Sequence, residues 1–130
     1  EHALSYTLGH KQQMPAIDGT GHVLNAAGEV AAAYRKIHLF DVDIANGPRL
    51  MESRKTRAGD KATTVETAFG CLGLTVCYDV RFPTLYQKLA DMGSIAVSVP
   101  SAFTATTGAM HWHTLLRSRA IEPTRKSRST

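Results

Sequence analysis

The sequence predicts an α/β fold. Two patterns carry that reading. Short apolar runs rich in β-branched residues have strand length, and stretches with helical spacing of apolar residues follow them. Gly, Pro and Asn punctuate the elements, with no internal repeat and no domain linker. Strands that alternate with helices bury one face of each element against the other.

Taken in order, residues 21–25 read as the end of a strand. A turn at Asn25-Ala26-Ala27-Gly28 leads into a paired strand from Val30 to about His38. Residues 41–62 contain Gly47, Pro48, Gly59 and Asp60 and read as one long loop. A loop of that length in a compact domain is usually functional. Thr63 to Ala68 and Leu72 to Val76 predict a hairpin about Phe69-Gly70. Pro83 suits the first turn of a helix, and Leu85, Tyr86, Leu89 and Met92 follow at near-helical spacing. Gly93 ends that helix. Ile95 to Val99 reads as a short buried strand, Ser101 to Gly108 as a polar loop, and His111 to about Ile121 as a second helix. The expected organisation is a partial domain over 1–122 followed by a polar basic tail, 123–130, expected to be disordered.

The strand around Leu72-Gly73-Leu74-Thr75-Val76 ends abruptly at Cys77-Tyr78-Asp79. Cys77 is therefore expected where a strand turns into a helix. There its thiol would meet free backbone N–H groups and the positive end of a helix dipole, both of which favour thiolate, the nucleophilic form. A buried structural cysteine fits the same local pattern. The strand from Val30 becomes densely charged at Tyr34-Arg35-Lys36-Ile37-His38. A lysine beside a cysteine nucleophile stabilises the thiolate and then the oxyanion formed at an attacked carbonyl. On its own, Lys36 fits a solvated edge strand with ordinary surface cations better.

Composition narrows the classes. A chain of 130 residues, 43% hydrophobic and 20% charged, is ordinary for a globular domain. No apolar run approaches the ~20 residues of a membrane helix. The net charge of +4 owes much to Arg125, Lys126 and Arg128 in the tail, with no basic stripe interleaved with aromatics, so nucleic acid is not the expected partner. Of the six histidines, His111 and His113 would face different sides of a helix, and no HExxH or CxxC spacing occurs, so no metal is expected. Cys71 and Cys77, six residues apart on one strand, are too distant to bridge. Reduced thiols suit a cytoplasmic protein, with a mitochondrial address left open.

Together these residues resemble the nitrilase (carbon–nitrogen hydrolase) superfamily. The matching segments are Tyr34 through Asp41, Glu52 before Gly59-Asp60, Gly73 through Pro83, and Pro100-Ser101-Ala102-Phe103. Thr107-Gly108, His111-Trp112 and Leu115 through Glu122 continue the match. Within the superfamily the chain looks most like the branch that holds deaminated glutathione amidase and ω-amidase. That resemblance implies a four-layer α-β-β-α sandwich, of which this chain supplies the middle without the N-terminal and C-terminal elements. It also implies a Glu–Lys–Cys triad, with Cys77 as nucleophile, Lys36 as triad lysine and Glu52 as a second glutamate near the site. The Tyr78 N–H matches an oxyanion donor, and Arg81, Phe103 and Thr107 match positions lining the substrate pocket. An arginine there can hold a substrate carboxylate through paired hydrogen bonds. The triad's general-base glutamate is expected upstream of residue 1, and Glu1 does not match it.

The implied activity is hydrolysis of a small carboxylate-bearing amide through a cysteine thioester, with release of ammonia. The resemblance implies no cofactor and no metal, a small-molecule amide as partner, and a homo-oligomer in the full-length form. Two other readings stand beside it: a catalytically inactive fragment or interaction module of this fold, and a carbamoylase of the same superfamily.

Overall fold

The computed structural model of the chain describes residues 5–8, 19–43, 49–103 and 105–122, and of residues 5–8 and 105–107 the backbone path alone. The expected tail, 123–130, lies outside the described residues. The mixed α/β class is as predicted. Strands β1 (Ser5–Leu8), β2 (Thr20–Leu24) and β3 (Val30–Arg35) form an antiparallel sheet in that order. The β2–β3 turn is the predicted one. Asn25 Oδ1 accepts the N–H groups of Ala27 (3.0 Å) and Glu29 (2.9 Å), so the side chain imitates a backbone turn.

Alternation along β3 sends Tyr34, and Lys36 just past the strand end, to the buried side. The strand stops at Arg35 rather than near His38 because the following backbone donors are diverted to side-chain carboxylates. His38 N–H goes to Asp79 Oδ1 (3.0 Å) and Phe40 N–H to Glu52 Oε2 (2.6 Å). Neither can then extend a ladder.

The segment 41–62 is more structured than a loop. It contains a two-stranded antiparallel ribbon, β4 (Asp41–Asp43) and β5 (Arg49–Met51), and a 3-10 turn over Glu52–Arg54. Strands of three residues are too short to show an alternating pattern. Backbone pairing holds them, with exposed polar contacts beside it: Asp43 with Arg49 (3.3 Å), and Ser53 N–H on Asp41 Oδ1 (3.0 Å). That backbone donor holds the Asp41 carboxyl below its ordinary range. Gly47 and Pro48 lie outside the described residues.

Strands β6 (Thr63–Thr67) and β7 (Gly70–Leu74) make the predicted hairpin. Helix α1 (Pro83–Asp91) then crosses back to β8 (Ala96–Ser98), which pairs parallel to β7. Pro83 opens α1 as expected, and Leu85, Tyr86 and Leu89 are buried while Met92, past its end, is exposed. At Gly93 φ is +91°, the left-handed cap that glycine adopts without strain. The core joins Val23 and Tyr34 to Leu74, Val76, Val80, Leu85, Tyr86 and Leu89.

Helix α2 (Ala105–Ile121) begins six residues before the predicted start at His111. Thr106, Thr107 and Gly108 have weak helix propensity and read as loop, but tertiary contacts override propensity. Phe103 packs on Trp112 with ring centroids 4.9 Å apart, and Leu115 and Leu116 pack against the core. Topology thus brings the carboxyl ends of the parallel strands β7 and β8 side by side. The crevice outside such strand ends is where α/β sheets place their sites.

Candidate active site

Cys77 opens a five-residue 3-10 turn, Cys77–Arg81, between β7 and α1. Its φ is +49°, a left-handed conformation found at no other non-glycine among the described residues. A side chain there costs about 1–3 kcal/mol and persists only where the surroundings over-determine it. Here Cys77 N–H donates to Pro100 O (2.9 Å), tying the turn to the end of β8. One position earlier Val76 N–H donates to Asp79 Oδ2 (2.9 Å), and Asp79 N–H returns to Val76 O (3.1 Å). The expected helix start is corrected by this: α1 begins only at Pro83, so no α-helix N-terminus touches the thiol. The Cys77 N–H itself is taken by Pro100 O. The Tyr78 N–H belongs to the first turn, whose donors have no acceptor inside the helix.

Lys36 reaches the same place from β3. Its backbone is pinned on both sides: the N–H donates to Gly19 O (2.9 Å), and the C=O accepts from Gly59 N–H (2.8 Å). The approach at Gly59 requires glycine, because a Cβ there would lie 2.3 Å from Arg35 O. The Lys36 side chain is only 4% exposed, and its ammonium donates to Glu52 Oε2 at 2.6 Å. The same oxygen accepts Phe40 N–H (2.6 Å), so Glu52 is anchored as the partner of the buried cation. A buried ammonium without such a partner would carry a large desolvation penalty.

Arg81 projects between two aromatic rings, 5.8 Å from the Tyr78 centroid and 5.6 Å from that of Phe103. One of its amino groups, Nη2, donates to His111 Nδ1 (3.1 Å), which requires the tautomer protonated at Nε2. Among the described residues Arg81 pairs with no carboxylate. Tyr78 also meets Phe40 edge-on (5.0 Å). Cys77, Lys36, Glu52, Tyr78, Arg81 and Phe103 line one cavity of about 350 Å³, together with Phe40 and the Pro100–Ala102 segment. Six of the seven residues singled out from the sequence therefore converge. The seventh, Thr107, falls in α2, and its side chain lies outside the described residues.

Sequence reasoning missed the support behind these residues. Asp79 is fully buried and takes Tyr34 O–H (2.8 Å) and His38 Nδ1–H (2.8 Å) besides its backbone donors. Two signals were available. Period-two spacing puts Tyr34 on the face of Lys36, and an acidic residue three positions after a helix start can reach back to the cap N–H. His111, weighed as a metal ligand, instead meets Arg81. Among the described residues no group of three or more His, Cys, Asp or Glu is placed to hold a metal, and no helix is long and apolar enough to cross a membrane.

Residues 3–124 match the family described as carbon–nitrogen hydrolase. The chain belongs to the carbon–nitrogen hydrolase family. It is 45% identical over 106 residues to an omega-amidase of Saccharomyces cerevisiae, an overlap of 82% of this chain and 36% of that protein. It is 47% identical over 113 residues to a deaminated glutathione amidase of Yersinia enterocolitica, covering 85% of this chain and 40% of the relative. The C. elegans NitFhit crystal structure superposes on 83% of this chain and 26% of that one, with TM-score 0.77 and 46% identity. An amidase from Nesterenkonia sp. AN1, 31% identical with TM-score 0.66 over 81% of this chain and 38% of that one, is described with acrylamide added at its active-site cysteine. This carbon–nitrogen hydrolase chain thus spans well under half the length of these relatives.

Proposed function

We propose that the chain carries the nucleophile-bearing part of an amidase acting on small amides that bear a carboxylate. The observation that carries the reading is the single cavity shared by the strained Cys77, the buried Lys36–Glu52 pair and the aromatic-flanked Arg81.

Cys77 Sγ attacks the amide carbonyl carbon. The carbonyl π electrons move onto oxygen, and Lys36 with the Tyr78 N–H stabilises that oxyanion. As the oxyanion collapses the carbon–nitrogen bond breaks, and ammonia leaves with the proton that the thiol gave up. Water then adds to the thioester, and the carbon–sulfur bond breaks to release a carboxylic acid and regenerate the thiol. Deprotonating the thiol and the water needs a general base, and its conjugate acid gives the proton to the leaving nitrogen. Glu52 is unsuited to that work, because its Oε2 is held by Lys36 and Phe40. The base is a further glutamate, as the family resemblance implies.

Arg81 is the anchor for the substrate carboxylate. Its guanidinium offers donors beyond the one given to His111, and the rings of Tyr78 and Phe103 flank it, leaving it placed for a charge-assisted pair. The test is ammonia release by the full-length protein from the ω-amide of a dicarboxylic acid and from its neutral methyl ester. The carboxylate form is expected to be preferred, and Arg81→Met is expected to lower its kcat/KM at least about 30-fold while sparing the ester. Turnover indifferent to the carboxylate would overturn this specificity. No ammonia from any small amide would overturn the reaction class.

A further inference from the structure

Among the described residues, Asp79 is the most heavily engaged side chain that does not line the cavity. Its Oδ2 accepts Tyr34 O–H (2.8 Å) and Val76 N–H (2.9 Å), and its Oδ1 accepts His38 N–H (3.0 Å) and His38 Nδ1–H (2.8 Å). The four donors come from two segments far apart in sequence. Tyr34 and His38 each lie two residues from Lys36, on either side of it. Val76 adjoins Cys77. One fully buried carboxylate thus clamps the backbone that presents the cation to the backbone that presents the thiol. The clamp is itself held. His38 stacks on Phe82 with ring centroids 3.7 Å apart and planes 7° from parallel. Burial, then the charge of Asp79, keeps the Tyr34 phenol far above its ordinary range, so it stays a donor at any working pH.

We infer that Asp79 is a positioning residue of the proposed reaction, fixing the separation and orientation of Cys77 and Lys36 through Tyr34, His38 and Val76. The chemistry of the site requires a carboxylate here. Both oxygens act as acceptors, and each faces one backbone N–H that cannot turn away: Val76 on Oδ2, His38 on Oδ1. An asparagine would set its NH2 against one of those two whichever way it flips. The clamp would open on the Cys77 side or on the Lys36 side. The strained φ at Cys77 is the feature with most to lose, since such a conformation relaxes when its restraints go.

The inference rests on the reading of Cys77 as nucleophile, and the experiment separates the two. In the full-length protein, Asp79→Asn is expected to lower kcat for ammonia release about 10²-fold, as a misplacement near 1 Å does, with KM within about threefold. Alkylation of Cys77 by iodoacetamide is expected to slow. A merely structural role would lower the melting temperature and leave both readouts of the folded molecules unchanged. Tyr34→Phe keeps the core volume, removes one donor from Oδ2 and otherwise frees only Ile37 N–H, whose bond to the phenol is 3.3 Å long. Its kcat is expected to fall about tenfold at unchanged KM, and it decides the matter if Asp79→Asn does not fold. Parental kcat and alkylation in folded Asp79→Asn, a loss confined to KM, or parental kcat in Tyr34→Phe beside an unfolded Asp79→Asn would each overturn the inference. A Cys77→Ala variant serves as control. If it is inactive while Asp79→Asn is parental, this inference alone fails; if it keeps turnover, the nucleophile reading fails and the inference with it.

Discussion

Removing Glu52 is predicted to destabilise the protein more than removing Lys36, although the two form one ion pair. The Lys36 Nζ to Glu52 Oε2 distance is 2.6 Å, and the side chains are 4% and 27% exposed. At an effective dielectric near 20, the attraction at that distance is about 6 kcal/mol. Desolvating the two ions offsets most of it, because each buried ion carries a penalty of several kcal/mol. The difference between the variants comes from what each leaves behind. Glu52→Ala strands a buried ammonium and removes the acceptor of Phe40 N–H, a loss of about 3–5 kcal/mol. Lys36→Met fills the same volume with apolar atoms. The remaining carboxylate keeps its Phe40 N–H and reaches water, a loss of about 1–2 kcal/mol. Glu52→Gln, which keeps an acceptor for Phe40 and loses only charge, should fall between them. Urea unfolding of the full-length variants at neutral pH, followed by far-UV circular dichroism, should show Glu52→Ala the less stable by about 2 kcal/mol. Equal losses, or a larger loss for Lys36→Met, would refute the reasoning, since Lys36 would then not be a buried cation dependent on its partner.

The two thiols and the buried phenol give further expected outcomes. Cys71 and Cys77 are similarly part-buried, so a difference in reactivity reports environment rather than access. Iodoacetamide at about pH 6 should label Cys77 first, because Cys77 shares its cavity with the cations of Lys36 and Arg81 and Cys71 does not; peptide mapping that finds Cys71 labelled first would sink the assignment. Tyr86 is pushed up to about 12 by burial, with its hydroxyl 3.1 Å from Thr75 Oγ1. Its folded pKa is raised, so its contribution is complete below the unfolded value near 10 and is lost as pH rises from there to about 12. Alkaline unfolding should therefore be shallower over that window in Tyr86→Phe, by an amount on the order of 2 kcal/mol. An unchanged pH profile in that variant would contradict the assigned cause.

Elements with a strong local signal were legible in the sequence. The hairpin about Phe69-Gly70, the Asn25 turn and α1 between Pro83 and Gly93 follow from spacing and turn chemistry. Tertiary contacts decided the rest. The strand carrying Lys36 ends early because Asp79 and Glu52 capture its next donors. Helix α2 starts early because packing around Phe103 and Trp112 outweighs the weak propensity of Thr106, Thr107 and Gly108. In the site, Cys77 and Lys36 were legible as residue types in a suggestive context. Of their support the sequence displayed only local hints, the spacing of Tyr34 and Lys36 and the place of Asp79 three positions past Val76. Asp79 acts through bonds to residues 34 and 38, and no local pattern encodes a contact across more than forty positions.

The central claim is that Cys77 forms a thioester with the acyl part of a small amide. Rapid acid quench of the full-length protein during turnover, then peptide mass spectrometry, tests it most directly. A mass increase equal to the amide minus ammonia is expected on the peptide containing Cys77, absent from Cys77→Ala, which should also release no ammonia. Undiminished ammonia release by Cys77→Ala, or the acyl group found on Cys71, would contradict it.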